Sequence, residues 1–197
     1  SRLWFVNNKP LEDKILAYLA RYRELRSVKL YAFALQGNHH HHVANFPLAN
    51  RAHFMRDFNS ITARLVQWNV PGIEPGKFWE RRYANQLLPR DGDIEKWFFY
   101  CALQCVSSGL AEKISDYPGY NSFNDAISGI ERKFKVVNWT DYNNAKRFNP
   151  RVNIKDYITV HVLKYERLPG YGHLSQHEYK KLMLQKLEEK RVEIVKE

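Results

Sequence analysis

The chain has 197 residues, 44% of them apolar and 14% aromatic, enough for one buried core and too apolar for a disordered segment. Its 31 Lys and Arg face 21 Asp and Glu, a formal charge of +10, which suits a polyanionic partner because each neutralised phosphate releases a condensed counterion. No apolar run approaches the ~20 residues of a membrane span, no charged-then-apolar leader opens the sequence, and Cys101 and Cys105 have neither zinc-ribbon nor disulfide spacing; the expectation is no membrane partner and a cytoplasmic, nucleoid-associated place of work.

In chain order, Leu11, Ile15, Leu16, Leu19, Tyr22 and Leu25 fall on one stripe of a helix over 11–25. The apolar run Val28–Leu35 reads as a central strand. It is expected to continue through Gln36, Gly37 and Asn38 into four histidines, until Pro47 ends it. Asn50 then caps a helix over 51–67, with Phe54, Phe58, Ile61 and Leu65 inward and Arg51, Arg56 and Arg64 on other sides. Val70–Gly76 is a loop, and Phe78–Leu88 reads as one or two strands.

A helix from Ile94 to about Ser108, closed by Gly109, buries Ile94, Phe98, Cys101 and Cys105. Lys96, Tyr100, Gln104 and Ser107 share another face of it. Past residue 130 the sequence turns basic and aromatic, with strands and loops over 131–170, one strand at Tyr157–Leu163. Ser175 and Glu178 form a capping box opening a last helix over 176–196. The fold class is α+β: an antiparallel sheet with helices packed on one face, plus a basic C-terminal extension ending in a helix. Residues 1–128 form the main domain and 129–197 the extension.

Side chains alternate along a strand, so His39 and His41 share one face and His40 and His42 the other. Two imidazoles at that spacing can hold one metal ion and leave positions open for phosphate and water. The alternative reading is a polar strand end with no ligand. Tyr100 and Gln104 stand one helical turn apart, which sets a phenol beside a carboxamide. A tyrosine on a helix is more often a packing residue, and this pair by itself does not distinguish the two.

Four segments carry a resemblance. Asn38-His39-His40-His41 after an apolar strand resembles the "(M)PNHVH" segment of single-tyrosine HUH transposases of insertion-sequence type, close to those associated with repetitive extragenic palindromes. Lys77–Tyr83 is similar to their "fW-x-r-x-y" strand region. Tyr100–Leu110 fits the frame of their "Y-I-x-x-N-P-V-x-x-G-L" helix, and Ser115–Phe123 their "p-x-d-Y-p-w-S-S" segment. The order holds across roughly residues 1–125. His40 replaces the usual aliphatic residue, which opens a second register on His40 and His42; Asn38 and the preceding strand favour His39 and His41. Gln104-Cys105 stands where the family has Asn-Pro.

The resemblance implies a ferredoxin-like or RNA-recognition-like sheet, and in residues 1–128 an HUH single-tyrosine transposase domain. It implies Tyr100 as nucleophile, His39, His41 and Gln104 as ligands of Mg²⁺ or Mn²⁺, and a 5′-phosphotyrosine intermediate. Single-stranded or hairpin DNA is the implied partner. Arg51, Arg56, Arg64, Arg81 and Arg82 are candidate phosphate contacts, and Trp79 a candidate base-stacking ring. Relatives include both monomers and homodimers that take the tyrosine helix from the partner subunit. Two rival readings are a domesticated hairpin-binding protein that does not cut, and a rolling-circle-type replication initiator.

Overall fold

Lys29–Leu35 (β1) is the strand around which the rest is arranged, and six of its seven residues are buried. A nearly unbroken apolar run is what a strand covered on both faces requires. Both of its edges are used. On one it pairs antiparallel with His40–Asn45 (β2). On the other, Leu35 N–H donates to Tyr120 O (2.8 Å), Ser122 N–H to Phe33 O (2.9 Å) and Glu166 N–H to Leu30 O (2.6 Å). The computed structural model describes residues 4–73, 76 and 78–196.

The expected continuous strand from Val28 into the histidines is instead a hairpin. Gln36 N–H donates to His39 O (2.8 Å), and Leu35 pairs with His40. The Gly37-Asn38 pair between two strand-forming runs is the turn signal that explains the reversal. His39 therefore lies at the mouth of the turn, one residue before β2.

Lys9–Leu25 (α1) begins where Asn8 Oδ1 accepts from Leu11 N–H (3.2 Å), with Pro10 in its first turn. Arg51–Asn69 (α2) buries Phe54, Phe58, Ile61 and Leu65, as its spacing predicts. Asn50 precedes it but makes no capping bond, because its side-chain amide donates to Arg26 O (2.8 Å). Asp91–Ser107 (α3) buries Phe98, Phe99, Cys101, Ala102, Leu103, Cys105 and Val106, a wider face than the one stripe expected, while Ile94 is half-buried.

The expected strands at 78–88 are absent: these residues run as an irregular segment. Residues 74 and 75 of the expected loop, and Lys77, lie outside the described residues.

Phe123–Ser128 (α4), Arg132–Val137 (β3), Trp139–Phe148 (α5), Ile158–Leu163 (β4) and Gln176–Lys196 (α6) complete the chain. The class is α+β. Its antiparallel pairing is divided between two two-stranded sheets, β1–β2 and β3–β4. Helices lie on both faces of the first hairpin rather than on one, since His40 and His42 meet α2 whereas His41 meets α3. Where the capping box was expected, Ser175 N–H donates to Glu178 Oε2 (2.9 Å) and Glu178 N–H to Ser175 Oγ (3.2 Å).

Residues past 128 share the one apolar core: Leu163, Tyr165, Leu168, Tyr179, Met183 and Leu187 join Phe33 and Phe98 in it. Glu95 of α3 accepts from Tyr171 Oη (2.5 Å) and Lys186 Nζ (2.7 Å), which fastens α6 to α3.

One close approach tests this packing. A Cβ on Gly119 would stand 2.5 Å from Leu35 O and 2.6 Å from the Tyr117 ring. Gly119→Ala is expected to cost about 1–3 kcal/mol as the backbone is forced off β1, read as a lower urea midpoint with unchanged slope.

Candidate active site

The alternation of β2 decides which histidines meet which helix. His40 Nε2 lies 3.0 Å from Asn59 Oδ1, and its ring meets Phe58 (5.2 Å between centroids) and Trp79 (5.6 Å) edge-on. His42 Nε2 lies 3.1 Å from Met55 Sδ, with Phe54 beside the ring. Burial holds the pKa of His40 down to about 4 and that of His42 to about 3. Both are neutral packing residues. His40→Val is accordingly expected to keep the chemistry of the opposite face and to lose about 1–3 kcal/mol of stability through the unpaired Asn59; a melt and a cleavage assay on one preparation separate the two effects.

His39 and His41 turn the other way. Their ring centroids are 4.9 Å apart, and the His41 ring stands edge-on to that of Tyr100 at 6.0 Å. Tyr100 is 46% exposed although the helix around it is buried. Trp97 flanks it at 4.8 Å, so the phenol is held between an indole and an imidazole. Gln104 follows one turn along α3.

Two polar atoms here have no protein partner: His41 Nε2 and Gln104 Oε1 are buried and unbonded. Other buried side-chain atoms are unbonded as well, among them Nδ1 of His40 and of His42 on the opposite face. What sets His41 and Gln104 apart is that they flank the exposed Tyr100, one in ring contact and one a helical turn away. His39 Nδ1 is 2.9 Å from Asn38 Oδ1. A carboxamide oxygen only accepts, so Nδ1 carries the proton and the Nε2 lone pair is left free. Burial lowers the pKa of His39, and burial followed by the nearby His39 brings that of His41 to about 4. Neutral imidazoles are the form that binds metal. Two imidazole nitrogens and a carboxamide oxygen fit a divalent cation that keeps open positions. Among the described residues no three His, Cys, Asp or Glu gather into a metal-binding group; Gln104 is the carboxamide one turn from Tyr100 on α3.

The remaining candidates lie on the α2 side of the hairpin. Arg56, Trp79, Arg81 and Arg82 line one open cavity of about 280 Å³ together with Asn59 and Tyr83. Trp79 is fixed there: its Nε1–H donates to Asn59 O (2.9 Å), and its ring packs on Phe5, Phe78 and His40. Arg56 pairs with Asp57 (2.8 Å), and the Arg82 guanidinium sits 5.5 Å from the centre of the Tyr83 ring. Arg64 folds back on Ser60, and Arg51 opens α2; neither lines the cavity. Trp97, which flanks Tyr100, escapes sequence reasoning because it acts through a ring contact in space; Asn38, part of the histidine motif, orients His39.

Residues 2–96 match the family model described as "Transposase IS200 like". Over that stretch, just under half of its length, the chain is similar to IS200-like transposases. No curated protein and no solved structure matches it. The matched stretch holds β1, the four histidines and the α2-side cavity, and it ends at Lys96, four residues before Tyr100. Tyr100 is thus brought to His41 by the placement of α3, and Gln104 follows it one turn along that helix. A transposase processes DNA, and the charge of +10 accords with that partner. No helix among the described residues is long and apolar enough to cross a membrane.

Proposed function

We propose that this protein is a transposase that nicks and rejoins single-stranded DNA through Tyr100, with Mg²⁺ or Mn²⁺ held by His39, His41 and Gln104. The observation that carries the reading is the meeting of an exposed phenol with His41, whose Nε2 is buried and unpaired, one turn from an equally unpaired Gln104 Oε1. A non-cutting hairpin-binding protein has no use for that arrangement. When bound, the cation supplies Lewis-acid stabilisation of charge on the scissile phosphate.

The residues of the chain do the rest. Trp97 and His41 hold the Tyr100 ring from two sides, which restricts the direction of its hydroxyl. A free phenol ionises only near pH 10, so a tyrosine nucleophile at neutral pH depends on such placement and on nearby charge. Tyr100 Oη bonds to phosphorus as its proton leaves. The bond to the 3′ oxygen breaks, and that oxygen takes up a proton and departs as a hydroxyl. The 5′ phosphate stays on the tyrosine until a 3′-hydroxyl reverses the step. One phosphoester replaces another, so no nucleotide cofactor is consumed.

The tyrosine acts in cis in this reading. The His41–Tyr100 contact forms within one chain, and α6 fastens α3 to the core through Glu95 and Lys186. Hairpin DNA is the substrate class, with Arg56, Arg81 and Arg82 around the α2-side cavity as backbone contacts. The test uses hairpin DNA selected from a randomised library by binding to the protein. With Mn²⁺ it is expected to give an adduct stable to detergent, and with chelator none. Cutting that is indifferent to chelator, or bound hairpins that never become linked, would overturn the proposal.

A further inference from the structure

The segment 132–163 is an arm of unlike character to the rest of the chain. Its hairpin, β3 paired with β4, is capped by α5, and none of the ten residues of α5 is buried. Tyr142 rests on Tyr157, and Asn138 N–H donates to Tyr157 O (2.8 Å), so the cap is held mainly by its own return strand. Trp139, at its base, meets Tyr142 edge-on (5.9 Å between ring centroids). Phe148, at its end, is 90% exposed.

Charge separates the arm from the body as well. It carries seven Lys and Arg against two Asp, half of the chain's net charge of +10. On the body several arginines are matched, Arg26 with Asp57, Arg90 with Asp93 and Arg191 with Glu188, while Arg64 and Arg167 turn onto polar groups of the chain itself. Arg132, at the foot of the arm, is matched to Asp125. Beyond it, Lys133, Lys135, Arg147, Arg151 and Lys155 make no ion pair among the described residues, and all are exposed. Lys133 and Lys135 lie opposite Val162 and Val160 on one face of the ribbon.

We propose that this arm is a second nucleic-acid surface, built for an unpaired strand. Unmatched cations answer a phosphate backbone, and a fully presented phenyl ring answers an unstacked base, which a duplex does not offer. The strand it takes is the single-stranded DNA next to the hairpin held by the body. That assignment rests on the proposed function for its substrate, though not for its chemistry.

Fluorescence anisotropy of a labelled oligothymidine across a salt series tests it, with Phe148→Ala and a combined Arg147→Gln, Arg151→Gln, Lys155→Gln variant of the full chain. These side chains are exposed, so melts should match the wild type. Phe148→Ala is expected to weaken oligothymidine binding about tenfold while sparing a duplex of equal length. The triple variant is expected to lower the salt slope by about 2, at ~0.7 for each single-strand phosphate contact. Wild-type affinity and slope in both variants would remove the arm from strand binding, and equal loss on duplex would refute the unpaired-strand assignment. Adduct formation at saturating hairpin, measured beside binding, should be unaffected. If no protein forms adducts yet the arm variants lose oligothymidine binding, the arm stands and the tyrosine chemistry falls.

Discussion

Tyr100→Phe is expected to eliminate the detergent-stable protein–DNA adduct, lowering its rate of formation about 10,000-fold or more, because the substitution deletes the atom proposed to bond to phosphorus. The variant is otherwise conservative. No side-chain hydrogen bond holds the hydroxyl, and the ring contacts with Trp97 and His41 survive with phenylalanine. Hairpin affinity should therefore stay within about twofold of wild type, since the phenol adds little to ground-state binding. The melting temperature should not move. An adduct that persists would place the nucleophile elsewhere; loss of adduct together with loss of binding would make Tyr100 a contact residue instead.

Removal of the unpaired donors has the second-largest effect. His41→Ala and Gln104→Ala are each expected to cut Mn²⁺-dependent adduct formation about 100-fold or more, because each takes away a proposed ligand and the charge stabilisation that depends on it. The stability signature is the informative part. Most buried polar groups are bonded, and deleting one unfolds a marginal protein. His41 Nε2 and Gln104 Oε1 are bonded to nothing, so Gln104→Leu should hold or raise the melting temperature without metal. In wild type, Mn²⁺ should raise that temperature as its concentration passes Kd, and in both variants the increment should shrink. A full Mn²⁺ increment in His41→Ala would mean that the cation binds somewhere else.

Much of this was legible in the sequence where one local rule acts alone. The Ser175–Glu178 box starts α6 as read, and Phe54, Phe58, Ile61 and Leu65 mark the buried side of α2. Strand alternation separates His39 and His41 from His40 and His42 without any structure, and the rings divide between α3 and α2 accordingly. Failures came where two rules competed. Gly37-Asn38 sits inside an otherwise extended run, and the apolar pattern on both sides hid the turn between them. Phe78–Leu88 has strand-forming residues, but Phe78 and Trp79 are drawn onto Phe5 and His40 instead of pairing along an edge. Helix α5 was not read at all: it is short and none of its residues is buried, so no core-facing stripe marks it. Trp79 shows the limit for the site, since composition marks an aromatic beside arginines but not that its indole is tied to Asn59.

The central claim is that one phenol among 12 tyrosines is the attacking group. Digestion of the protein after reaction with a bound hairpin and Mn²⁺, followed by mass spectrometry of the nucleotide-bearing peptide, reads it directly. A single modified peptide is expected, with a nucleotide 5′-phosphate on Tyr100. The same modification on any other residue, or a cut strand with no modified peptide, would contradict it.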